Sequence, residues 1–248
     1  KRFEDEFSKF TGLDECITTS SGSTALELAF SLCDLNPSDE IIAPALTFAS
    51  PINSAIRTGA KIKLIDVDIS NFCIDEKLIL SNLSKNTKVI VVVNLYGYPY
   101  DVKSLREKIP SNILIIEDCA ESFGSRRNDI HSGFYSDFAT FSFFGNKTIT
   151  TGEGGMLFCK NAKDRKRAKV LRDHGMNKEK KYWHDEVGFN FRMTNLQAAV
   201  GVAQLEKAPS ILSNKQRIFD NYHKLLSKHG FVFISSSDSS IFNSRWLV

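Results

Sequence analysis

Lys88-Val89-Ile90-Val91-Val92-Val93, followed at once by Asn94-Leu95-Tyr96-Gly97, is the stretch from which the fold can be read. Six residues with almost no polar interruption read as a strand buried on both faces, and a turn signal closes it. Val102 to Lys108 then has helical spacing. Ile113 to Ile116 repeats the buried-strand pattern and ends in Glu117-Asp118. Strand, helix, strand with both strands apolar predicts a parallel pair joined by a crossover.

The same alternation extends outward. Ser23 to Leu35 reads as a helix with Leu26, Ala29, Phe30 and Cys33 on one face. Glu40 to Ala43 reads as a short strand ending at Pro44, Phe48 to Thr58 as a helix closed by Gly59, and Ile62 to Val67 as a strand. Asp137 to Phe144 and Gly155 to Cys159 look like further strands. Asp164 to Asp173, Asn195 to Leu205 and Ile211 to Leu226 look helical. The chain begins inside what reads as a helix, and Ser244 to Val248 reads as part of a strand. Ser235 to Ser240 is the best linker candidate. The expected fold class is therefore α/β, with a mainly parallel central sheet flanked by helices.

Bulk composition narrows the function. The 248 residues are 42% hydrophobic, enough for a sizeable core. With 32 basic and 29 acidic residues the net charge is only +3, which argues against a dedicated nucleic-acid or membrane-surface protein. The densest basic run, Arg165, Lys166, Arg167, Lys169 and Arg172, has helical spacing and reads as a solvated face. Cys16, Cys33, Cys73, Cys119 and Cys159 are odd in number and widely spaced, so neither a metal site nor a disulfide framework is expected, and a reducing cytoplasm fits. No run approaches the roughly 18 apolar residues of a membrane span.

In an open parallel sheet, ligands sit beyond the carboxyl ends of the strands, so strand-end residues are the ones to read for chemistry. Thr19-Ser20-Ser21-Gly22-Ser23-Thr24 leads straight into a helix. It reads either as a serine-rich N-cap or as a phosphate cradle built on free N–H groups. Asp118 closes an apolar strand. It either points to solvent or pairs with a protonated ring nitrogen. Lys147 sits in the turn Ser142-Phe143-Phe144-Gly145-Asn146-Lys147-Thr148-Ile149-Thr150-Thr151-Gly152-Glu153-Gly154-Gly155. A lysine sequestered there could act as a Schiff-base amine, although the surrounding glycines and threonines also suit a plain turn. The turn lacks the first glycine of a Walker loop, and no GxGxxG follows the first strand, which speaks against a nicotinamide-dependent oxidoreductase. Together, in order, cradle, aspartate and lysine supply the phosphate, ring-nitrogen and aldehyde contacts that pyridoxal phosphate needs.

At this level the sequence resembles the DegT/DnrJ/EryC1/StrS family of sugar aminotransferases, a fold-type I pyridoxal-phosphate group. The resemblance runs through Ser21 to Leu26, Ala43 to Phe48, Asp66-Val67-Asp68, Asn94 to Gly97, Glu117 to Glu121, the Ser142 to Gly155 run, Leu171 to Gly175, and Gly188 to Met193 with Gln197-Ala198-Ala199. Phe144 to Gly155 and Tyr182-Trp183-His184-Asp185 are most similar to the perosamine synthase branch. The resemblance implies that Lys147 carries the cofactor and moves the proton, Asp118 holds the ring nitrogen, and Phe48, which alone reads as core, stacks on the ring. It implies phosphate contacts from Gly22, Ser23 and Ser142, and a place near the ring hydroxyl for Glu121, where many members carry glutamine. Asn190 would reach the cofactor of a neighbouring subunit, requiring a homodimer with shared sites, and His184 would lie near the nucleotide-sugar or the dimer interface. A related sugar 3-dehydratase has histidine in place of the lysine; position 147 is lysine here. The implied reaction passes an amino group from glutamate to a nucleotide-linked 4-keto-6-deoxy sugar, in surface polysaccharide or lipopolysaccharide O-antigen biosynthesis. GDP is the nucleotide of that branch, dTDP or UDP the alternative, and a non-catalytic cofactor-binding homologue the other reading. The division expected is a cofactor-binding large domain over 1–210 and the start of a small C-terminal domain over 211–248, since the family's chains begin before Lys1 and continue past Val248.

Overall fold

The structure, a computed structural model, describes residues 1–177, 179–234 and 238–247. In chain order the elements are α1 (Arg2–Thr11), β1 (Ile17–Thr19), α2 (Gly22–Ser31), β2 (Glu40–Pro44), α3 (Ala49–Ile56), β3 (Lys61–Ile65), α4 (Glu76–Asn82) and β4 (Thr87–Val93). They continue with α5 (Val102–Lys108), β5 (Leu114–Asp118), β6 (Arg126–Arg127), β7 (Ile130–His131), β8 (Phe138–Ser142), β9 (Gly155–Cys159), α6 (Ala162–Leu171), α7 (Asn195–Glu206), α8 (Ala208–Leu226) and β10 (Ile241–Phe242).

Seven strands of the described residues form one sheet in the order β1-β9-β8-β5-β4-β2-β3. β8, β5, β4, β2 and β3 are parallel, and β9 runs antiparallel to both β8 and β1. The expected mainly parallel α/β fold is what forms. The apolar run of β4 shows why the sheet must be covered twice. Val89, Val91 and Val93 pack into one cluster with α2, α3 and α6, while Ile90 and Val92 pack into another with α4 and α5. Successive side chains of a strand point to opposite faces, so an uninterrupted apolar run needs helices on both.

A third cluster lies over β8 and β9. Phe3 and Phe7 of α1 insert against Phe123, Phe141 and Phe143, and Leu205 of α7 and Ala208 of α8 join them. Phe7 sits at the centre, its ring centroid 5.0 Å from Phe141 and 5.8 Å from both Phe123 and Phe143. The amphipathic N-terminus thus becomes a core helix.

Local chemistry corrects some boundaries. β8 ends at Ser142 because the Phe143 carbonyl accepts from the Thr151 N–H at 2.9 Å, three residues short of its facing residue Gly154, which opens the turn that holds Lys147. The strand expected from Ser244 does not form: the strand is β10, two residues earlier. The Asn243 side chain accepts from the Arg245 N–H at 2.7 Å, and Arg245 adopts φ +54°, which bends the chain away from a sheet. The basic run is not a purely solvated face. Arg167 pairs with Asp34 and Glu186, each at 2.8 Å, and Arg172 donates to the Thr18 carbonyl at 2.8 Å, tying α6 to the sheet. Of the expected linker, 235–237 lie outside the described residues, as does Val248. No helix among the described residues is long and apolar enough to cross a membrane.

Phe7 is fully buried against four other phenylalanine rings. Phe7→Ala is expected to cost about 3–5 kcal/mol of stability, read as a lower urea midpoint. A midpoint unchanged from the parent would show that α1 is not part of the core.

Candidate active site

Parallel strands deliver their carboxyl ends to one edge of the sheet, and the chemistry gathers there. Asp118 is the last residue of β5 and Ser142 the last of β8. The turn after β8 carries Lys147, whose N–H donates to the Phe144 carbonyl at 3.0 Å. The turn after β1 opens α2. There Ser21 caps the helix reciprocally: its hydroxyl accepts from the Thr24 N–H at 3.1 Å, and the Thr24 hydroxyl accepts from the Ser21 N–H at 2.9 Å. The N–H groups of Gly22 and Ser23 belong to the first helical turn, which has no acceptors within its own helix. Position 22 must be glycine for a packing reason. A β-carbon there would lie 2.8 Å from Cβ of Ser142. Both readings of the serine-rich stretch are compatible: the capping box satisfies Ser21 and Thr24, and the N–H groups of the first turn remain open to an acceptor.

Gly22, Ser23, Phe48, Asp118, Glu121, Ser142 and Lys147 all line one cavity of about 330 Å³. Phe48, which alone reads as core, is 70% exposed. It precedes α3 as its N-cap in extended conformation, and its ring stands at the cavity wall. Two residues stay outside the cavity. Asn190 is exposed and pairs through its backbone with Asp173. His184 is exposed and makes a hydrogen bond through Nδ1 with the His174 carbonyl at 2.9 Å.

The electrostatics of the cavity are set by burial. Asp118 is buried, which raises its pKa above the usual carboxylate value against the opposing pull of the Ala120 N–H and of Lys147. Its contacts with Ala120 N–H, at 3.0 Å, and with the Thr140 hydroxyl, at 3.5 Å, both fall on Oδ1. Among the described residues Oδ2 has no hydrogen-bond donor and is left for another. Burial likewise raises Glu121, offset by the Tyr96 N–H, which donates to Oε2 at 2.8 Å, and by Lys147. Lys147 Nζ lies 3.8 Å from Glu121 Oε1. Its pKa is lowered, because loss of hydration outweighs the attraction of Glu121 and Asp118.

Two further residues of the cavity carry no sequence signal. Ser50, whose hydroxyl is 2.6 Å from that of Ser23, joins the wall from α3. Trp246 joins it from the last described residues, 100 positions from its hydrogen-bond partner Asn146. Contacts of that sequence separation leave no local pattern to read.

Glu121 favours the protonated form of Lys147, so Glu121→Gln is expected to lower the amine's pKa further. In protein free of bound ligand, the pH inflection of Lys147 acylation, followed residue by residue by mass spectrometry, should move to lower pH. An upward move would mean that the carboxylate does not act on the amine.

Comparison with known proteins places this geometry. The model of the DegT/DnrJ/EryC1/StrS aminotransferase family matches residues 1–246. A GDP-perosamine synthase of Escherichia coli O157:H7 is 37% identical over 249 residues, covering 100% of this chain and 68% of the relative. That of Caulobacter vibrioides is 40% identical over 229 residues, covering 92% of this chain and 62% of the relative. The chain thus spans about two thirds of the length of these curated relatives. Among solved structures, a protein described as a sugar aminotransferase from Streptococcus pneumoniae, in its PMP form, superposes with a TM-score of 0.91 at 26% identity, covering 99% of this chain and 67% of that one. A GDP-4-keto-6-deoxymannose-3-dehydratase from Escherichia coli with bound hydrated PLP gives 0.90 at 25% identity, covering 99% and 69%. A match along nearly the whole chain, on a sheet whose carboxyl edge carries the Gly22–Ser23 helix start, the buried aspartate and the turn lysine, shows that the chain belongs to the DegT/DnrJ/EryC1/StrS aminotransferase family.

Proposed function

We propose that the chain is the cofactor-binding part of a pyridoxal-phosphate-dependent aminotransferase that passes an amino group from glutamate to a GDP-linked 4-keto-6-deoxy sugar. The observation that carries this reading is the convergence of Lys147, Asp118 and Glu121 on one cavity beside the Gly22–Ser23 helix start. The cofactor class follows from the family and from solved relatives in PLP and PMP forms. Relatives named GDP-perosamine synthase support the choice of sugar and nucleotide.

The residues present fit the cofactor. The helix start of α2 and Ser142 would receive the phosphate, and the close approach permitted by Gly22 keeps the two together. Asp118, with Oδ2 left free of protein donors, would accept from the ring nitrogen and keep it protonated. Phe48 would cover the ring face, and Glu121 would lie beside the ring hydroxyl. Lys147 would join the aldehyde. When bound, the cofactor supplies a ring that takes up the electron pair left at a substrate carbon. Lys147 Nζ would do the proton work, taking a proton from the donor's amino-bearing carbon in one half-reaction and giving a proton to the acceptor's carbon in the other. An amine with a lowered pKa is suited to this, because more of it is neutral near pH 7.

The remaining assignments belong to the same reading. Asn190, exposed and outside the cavity, would reach the cofactor of a neighbouring subunit in a homodimer with shared sites, and His184, also exposed and outside it, would lie near the nucleotide-sugar or the dimer interface. The large domain would occupy 1–210 and the small one begin at 211, with α8 running through the junction. Five cysteines without disulfide partners suit a reducing cytoplasm.

Lys147→Ala is expected to lose the visible absorbance of the bound cofactor and to lower turnover by on the order of 10²–10⁴-fold or more. Asp118→Asn should keep most cofactor binding while turnover falls. Products from a panel of GDP-, dTDP- and UDP-linked keto-sugars, identified by mass spectrometry with glutamate as donor, would assign the acceptor. Normal turnover by Lys147→Ala without added amine would falsify the reading.

A further inference from the structure

Trp246 comes from a segment that no cofactor contact above requires, yet it lies on the amine of the cavity. Lys147 Nζ is 3.9 Å from the centroid of its ring. Three contacts hold Trp246 in place, two through the indole and one through its backbone carbonyl. The indole N–H donates to the Asn146 carbonyl at 2.9 Å, the ring stacks on Tyr96 with centroids 6.3 Å apart and planes 15° from parallel, and the Trp246 carbonyl accepts from Lys215 of α8 at 2.9 Å.

The segment that carries it is fastened immediately before Trp246, at Ser244 and Arg245. The Ser244 N–H donates to Ser125 Oγ at 3.0 Å; Ser125 Oγ lies 2.8 Å from Ser244 Oγ and donates to the Gly97 carbonyl at 2.6 Å. These two serines are fully buried or nearly so. Arg245 donates to the Ile234 carbonyl at 2.5 Å, and its guanidinium sits 3.5 Å from the ring centroid of Phe219 in α8. The turn after β4 is shaped to receive the segment. Gly97 has φ +86°, and a β-carbon there would lie 2.6 Å from Asn243 Oδ1.

A lysine side chain has many rotamers, and fixing one costs entropy that a contact must repay. The Lys147 amine has two fixed neighbours, the Glu121 carboxylate and the Trp246 face. An ammonium over an indole face is attracted to it, more strongly where water is partly excluded. We infer that Trp246 is the positioning residue for Lys147: its indole face, delivered by the 241–247 segment, holds the amine in the cavity beside Glu121. The segment beyond α8 thereby controls the orientation of the amine. The functional meaning of this inference rests on the proposal that Lys147 is the reacting amine; the contact and its test do not.

The charged groups facing the amine are Glu121 and Asp118, with Glu153 also in the cavity wall, and all stay in place in the variants that test the inference. In protein stripped of bound cofactor, the pH profile of Lys147 acetylation is followed by mass spectrometry. Trp246→Leu keeps an apolar cover but removes the aromatic face, so the inflection should fall by about half a pH unit. Trp246→Phe keeps a face and should stay near the parent. Trp183→Leu removes the other tryptophan, which sits by Lys180, and should leave Lys147 unmoved. An unchanged inflection in Trp246→Leu, or an equal fall in Trp246→Phe, would overturn the inference. Should Trp246→Leu not fold, the Phe variant decides alone: it must retain the parent inflection. Loss of colour and amine transfer in Lys147→Ala is a separate reading, so failure of the reaction assignment is distinguishable from failure of the Trp246 contact.

Discussion

Asp118, Glu121 and Lys147 are charged groups withdrawn from water into one cavity, and the loss of hydration is larger than what they return to one another. Both carboxylates are raised and the amine is lowered, so every shift runs toward the neutral form. A surface pair would show the opposite, with mutual attraction favouring charge. The rest of the architecture maintains that withdrawal. The double-covered sheet excludes water from below, the α2 helix start and Phe48 form the walls, and Trp246 closes against the amine. A fully solvated lysine would keep its ordinary pKa, whereas the amine of Lys147 is shifted toward its neutral form.

The sheet places these groups by direction alone. Asp118 and Ser142 end parallel strands that lie side by side, so their side chains reach the same edge without any dedicated loop. The reversal at β9 is what creates the lysine turn, because the chain must fold straight back over the carboxyl edge after β8. Glu117, one residue before Asp118, faces the other side of the sheet. There Asn94 donates to it at 2.8 Å, and burial pushes its pKa up to about 7. Adjacent acids on one strand thus serve different purposes: one holds the turn after β4 in place, the other is presented to the cavity.

Much of this was legible in the sequence because the signals are local. The apolar runs 88–93 and 113–116 became β4 and β5, and Val102 to Lys108 was read to the residue. Asp118 stood out because an acid closes an apolar strand, while Gly22 and Lys147 gained weight only from their order along the chain with it. Other features depended on distant partners. Phe48 looks like core until α3 is seen to begin immediately after it, leaving the ring at the cavity wall. The two-residue strands β6, β7 and β10 are too short for any period to register, and α4 has only one buried residue. Ser244 to Leu247 has the composition of a strand. Its fate is decided by Ser125 and Gly97, more than a hundred positions away, and by the Asn243 side chain.

The fit between Gly97 and the segment bearing Trp246 has an evolutionary corollary. No side chain can be introduced at 97 without displacing Asn243 or Ser244. Drift at three sites remote from the chemistry, 97, 125 and 244, is therefore constrained as a unit. Among descendants of a common ancestor, these positions should change jointly or stay fixed together, with a tempo that follows the aromatic residue they support.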